Sequence, residues 1–164
     1  MLGVAALWFV LQTSFAGAAR AKYPELALRI APHDARVLAD ASALVLTRIE
    51  DPNARAVAKA QSLNAIRRDP TSVAALRTLG MIADAEGDSK AALRLINRAE
   101  ALSRRDVATQ LWLIEHYSQA DNVAETLRHY DIALATSRQS RDLLIPVLVS
   151  ASADPALAPG LPKR

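Results

Sequence analysis

Three histidines, His33, His116 and His129, and the carboxylates beside two of them, Glu115 and Asp131, are the side chains best suited to metal ligation or proton transfer. A helical metal site needs ligands four residues apart, so that both rings reach one ion from one face. None of the histidines is spaced that way. His116 with Glu115 and His129 with Asp131 fall on separate expected helices, where they make at most a surface cluster. His129 is expected to face solvent and His116 to border the helix pair. The five glycines never cluster into a phosphate loop, and no Gly-x-Ser-x-Gly elbow is present. The serines are scattered, with no histidine and acid placed beside any of them by a motif. The chain therefore reads as a non-enzyme, with no cofactor and no metal.

The elements that must carry these residues are helices. The 164 residues are 51% hydrophobic, 23% charged and 4% aromatic, which suits one domain with a buried core. Ala, Leu, Arg and Glu are strong helix formers, and continuous β-branched runs are absent, so an all-α fold is expected. With no cysteine, disulfides and cysteine zinc sites are excluded. The net charge of +3 comes from arginines interspersed with acids, so no nucleic-acid partner is expected.

Residues 1–19 carry no charged side chain, and Leu2 to Leu11 is almost unbroken apolar sequence. As a helix the segment is about 28 Å long, close to the roughly 30 Å hydrocarbon core of a bilayer. A transmembrane anchor is the expectation. The alternatives are a cleaved signal, with Ala16-Gly17-Ala18 as the small-residue cleavage site, and a core helix packed on the first repeat. Arg20 and Lys22 come after the segment rather than before it, which by the positive-inside rule favours a cytoplasmic side for the rest. A basic stretch upstream of Met1 would restore the opposite orientation. The expected location is a bacterial-type inner membrane with the remainder periplasmic; the cytoplasmic face is the alternative.

Beyond this segment the chain has a period. Within Val73 to Asp106, Leu76, Leu79, Gly80 and Ala83 lie at one-face helical spacing, and Glu86-Gly87-Asp88 forms a turn before Ala92, Ile96 and Ala99. Gly80 and the alanines are small where two helices must approach, while the larger residues fill the space between them. Gly87 suits a left-handed turn position, and Asp88 or Ser89 can cap the second helix. Asp69-Pro70 closes a preceding unit. Thirty-four residues on, Leu113, Tyr117, Tyr130 and Ala133 take the corresponding places and Asp121-Asn122 replaces the glycine turn. Gln110, Ile114 and Thr126 depart from the pattern at a large, a glycine and an alanine position, so looser helix packing is expected there. Upstream, Leu38, Ala41, Val45, Ala58 and Ala65 take the packing positions of a unit lengthened near Glu50-Asp51-Pro52-Asn53.

This pattern resembles the tetratricopeptide repeat, a unit of two antiparallel helices. The resemblance implies a right-handed solenoid of antiparallel helix pairs over residues 20–140, preceded by the apolar N-terminal helix. Its units would be a half unit at 24–34 and full units at 35–72, 73–106 and 107–140. A capping helix is expected at 141–152 and a flexible tail at 153–164. Arg67-Arg68 and Arg104-Arg105 would end second helices, facing the negative end of the helix dipole.

The resemblance also implies a concave groove lined by the first helices, which binds a protein or peptide. Its positions fall on Arg36, Ala39 and Ala43, then on Arg77, Met81, Asp84 and Ala85, then on Leu111, Glu115, Ser118 and Gln119. Met81 stands where the family's carboxylate clamp carries asparagine. The expected role is a membrane-anchored interaction scaffold in cell-envelope assembly. The alternative is a soluble cytoplasmic assembly factor whose N-terminal helix packs in the core.

Overall fold

The computed structural model describes residues 23–45 and 48–136. The described residues are all-helical, with seven helices and no strand. They are α1 (Pro24–Ile30), α2 (Ala35–Val45), α3 (Pro52–Arg68), α4 (Val73–Ala85), α5 (Ser89–Leu102), α6 (Val107–Gln119) and α7 (Val123–Thr136). No described helix is long and apolar enough to cross a membrane. The expected anchor at 1–19, the capping helix at 141–152 and the tail at 153–164 lie outside the described residues.

Short polar side chains start most of these helices by occupying amide groups that have no partner within the helix. Asp34 accepts from the amides of Arg36 (2.8 Å) and Val37 (3.1 Å) at the start of α2. Asp51 accepts from the Asn53 amide (2.9 Å) before α3, whose first residue is Pro52. Asp88 takes the Ala91 amide (2.9 Å), so it and not Ser89 caps α5. Asp106 takes that of Thr109 (3.1 Å) and Asn122 that of Glu125 (3.3 Å), which starts α6 and α7. The turns use the left-handed region where expected: Gly87 has φ 82° after α4, and Asp121 has φ 52° after α6. Arg67 and Arg68 lie in the last turn of α3. Arg104 and Arg105 do not end a helix: α5 stops at Leu102, and both arginines occupy the turn before α6.

The chain divides into two compact units at Leu102 and Ser103. In the first, α2 packs on α1, α3 and α4, and α4 packs on α3 and α5. Small side chains allow the close approaches. Ala54, Ala58, Ser62 and Ala65 form the buried stripe of α3, and Ala92, Ile96 and Ala99 that of α5. Leu38, Ala39, Ala65 and Ala75 form one buried cluster. At Gly80 α4 comes close to α5: a Cβ there would lie 2.7 Å from Cγ1 and 2.8 Å from Cδ1 of the fully buried Ile96. In the second unit α6 packs on α7 around buried Leu113, Ile114 and Ala133.

Candidate functional site

The first helices place the expected groove residues on recognisable faces. On α4, Arg77, Met81 and Asp84 recur at three- and four-residue spacing, with Arg77 and Met81 half-buried and Asp84 exposed. The opposite side of α4 carries Leu76, Leu79, Gly80 and Ala83 into the core. Arg36 is exposed near the start of α2, the helix packed directly on α4. Ala43 is half-buried, whereas Ala39 is buried with Leu38, Ala65 and Ala75. Ala39 is therefore a packing residue and not a groove residue, because α3 and α4 converge on that side of α2.

On α6 the corresponding stripe contains Glu115, Ser118 and Gln119, all exposed, and the Gln119 amide donates to Glu115 Oε1 at 3.3 Å. Leu111 is half-buried and packs against the cluster of Ile114 and Ala133, so much of its surface serves the core rather than a ligand.

Arg36 also acts at the turn between α3 and α4. There Asp69 accepts from the hydroxyl (2.6 Å) and the amide (2.9 Å) of Thr71. The Thr71 hydroxyl and then its amide hold the Asp69 carboxyl below the usual carboxylate range; desolvation opposes them, and the charge of Arg36 makes the smallest contribution, downward.

The polar centre of the second unit lies inside it. His129 is fully buried, against the expectation that it faces solvent, and so is Gln110. His129 Nδ1 is 2.8 Å from Gln110 Oε1, and Nε2 is 2.8 Å from an Arg128 guanidinium nitrogen. A guanidinium only donates, so Nε2 accepts, and Nδ1 carries the proton donated to Gln110. The Gln110 amide nitrogen in turn faces the Arg104 carbonyl at 3.4 Å, which fixes the orientation of the amide. Glu125 pairs with Arg128 at 2.7 Å and lies 3.9 Å from His129 Nε2.

A run of rings continues from His129 to the buried Trp112. Tyr117 stacks on it with centroids 5.5 Å apart, His116 meets Tyr117 edge-on at 5.3 Å, and Trp112 stacks on His116 at 4.8 Å. Gln110 replaces a large apolar residue in the repeat pattern, and that departure was the sequence signal for a buried polar partner nineteen residues on. Among the described residues, no three His, Cys, Asp or Glu side chains are grouped to hold a metal ion.

No protein-family model matches the chain, and no curated protein matches it in sequence.

Proposed function

We propose that the chain is a tetratricopeptide-like solenoid that binds a protein or peptide along its first helices, held at a membrane by residues 1–19 and serving cell-envelope assembly. The observation that carries this reading is the packing order of the first unit. Each first helix, α2 and α4, packs on the second helix next in the chain, and the two first helices also pack on each other. That order leaves the stripe of Arg77, Met81 and Asp84 outside the core, next to the helix that bears Arg36. The tight Gly80–Ile96 approach supports the same reading, since it joins the glycine and second-helix positions of the repeat.

Binding by such a face is a matter of a few anchoring side chains on a rigid backbone. Arg36→Gln combined with Arg77→Gln is expected to weaken capture of a partner by the tagged full chain, with helicity unchanged by circular dichroism. Unchanged capture would count against the face.

The membrane part has its own test, protease treatment of spheroplasts expressing the chain with a C-terminal tag. Loss of the tag in intact spheroplasts is expected for repeats held outside the inner membrane. Protection until lysis would instead favour the cytoplasmic reading.

A further inference from the structure

The second helices of the first unit differ from its first helices in charge. Helices α2 and α4 balance Arg36 and Arg77 against Asp40 and Asp84. Helix α3 carries Arg55, Lys59, Arg67 and Arg68 and no acid, and α5 carries Lys90, Arg94 and Arg98 against Glu100 alone. Some of these bases serve the fold. Arg55 donates to the carbonyls of Ile49 (2.6 Å) and Glu50 (3.2 Å), and Lys59 pairs with Glu86 at 2.6 Å. Arg67 and Arg68 sit at the helix end that favours cations.

Nothing comparable accounts for the bases of α5. Lys90, Arg94 and Arg98 are exposed, opposite the buried stripe of Ala92, Ile96 and Ala99, and none forms an ion pair among the described residues. Lys90 stands in the first turn, where the helix dipole disfavours a cation, and no base occupies the last turn, where it would favour one. Successive bases are four residues apart, a spacing at which like charges destabilise a helix. The arrangement disfavours the isolated helix and suits a surface of opposite charge.

We infer that the outer face of α5 rests on anionic lipid headgroups. The three bases lie in a line about 12 Å long, as the rise of a helix dictates. Asn97 and Ala101 are the other exposed residues of that face, so it has neither the aromatic anchors of a protein hot spot nor the stacking rings of a single-stranded nucleic-acid surface, and three bases in one short line are few for a duplex. A headgroup layer requires only charge, and each base near such a surface strengthens binding about fivefold. The inference rests on the membrane location proposed above for its setting, and it adds a lipid class and a second contact.

The test is cosedimentation of the full chain with vesicles of phosphatidylcholine alone and of phosphatidylcholine mixed with phosphatidylglycerol. Anchoring through residues 1–19 would pellet the chain with both, so failure to pellet with either sinks the membrane reading itself. When the two kinds of vesicle compete for the chain, the shared anchor cancels, and the α5 face predicts a preference for the anionic ones that is strong at about 0.1 M salt and lost near 1 M. Arg94→Gln with Arg98→Gln should lower that preference roughly tenfold or more. Arg94→Lys with Arg98→Lys should keep it, because headgroups read charge and not guanidinium geometry. Equal partition of the parent chain, an unchanged preference in the glutamine variant or its loss in the lysine variant would overturn the inference. So would duplex DNA that abolishes the preference for anionic vesicles at a lower concentration of phosphate than the lipid itself presents, since the face would then belong to nucleic acid.

Discussion

Gly80 and His129 show how single residues set the packing of the two units. A Cβ at Gly80 meets the outer carbons of Ile96, which is fully buried, so that side chain must shift within the core to admit it. Gly80→Ala gains up to about 1 kcal/mol of helix propensity but incurs about 1–3 kcal/mol of overpacking, so a net loss of stability is expected. Ile96→Ala removes both clashing carbons. The double variant should therefore lose less than the sum of the single losses in urea unfolding, and strict additivity would refute the contact. In the second unit, His129→Leu leaves the Gln110 carbonyl buried without its donor, and Gln110→Leu leaves the ring proton without its acceptor. Each single change is expected to cost about 1–3 kcal/mol beyond packing, while the double change costs much less than the sum. A double-mutant cycle on thermal unfolding checks this.

At the scale of elements, the turns contribute through capping carboxylates, and Asp69 links one of them to pH. Its carboxyl titrates lower in the folded chain than in the unfolded one. The stability it contributes is therefore fully present above the unfolded value of about 3.9 and is lost as pH falls through the lower folded value. Asp69→Asn should flatten that part of the urea-midpoint profile between neutral and acid pH and leave its neutral limb parallel to the parent; an unaltered acid limb would deny Asp69 this role.

The same elements show how much was legible in the sequence. The helix pair at 73–106 was readable because its apolar positions, glycine turn and cap each obey helical spacing and turn chemistry, and α4 and α5 fall where that reading puts them. Gly80 was readable too, as a small residue with a bulky one opposite. The burial of His129 was legible only indirectly, through Gln110 at an apolar position of the repeat, because polarity alone sends a histidine outward and its partner lies on another helix. Ala39 was misplaced for a related reason. On α2 the side facing α4 and the side facing α3 are adjacent, and an alanine fits a groove or a core equally well. Arg104 and Arg105 were misplaced because α5 ends at Leu102, before either is reached.

At the scale of the whole molecule, the proposed chain combines a binding face on the first helices, a basic face on α5 and an apolar segment at residues 1–19. The central claim is that partners meet the first helices and not the outer ones. The most direct measurement places a photo-crosslinking side chain at Met81 of α4 or at Asn97 of α5 in the full chain and irradiates living cells. A binding face on the first helices predicts a discrete protein adduct from position 81 that Arg77→Gln diminishes, and none of the same size from position 97. Identical adducts from both positions, or an adduct from position 97 alone, would contradict it.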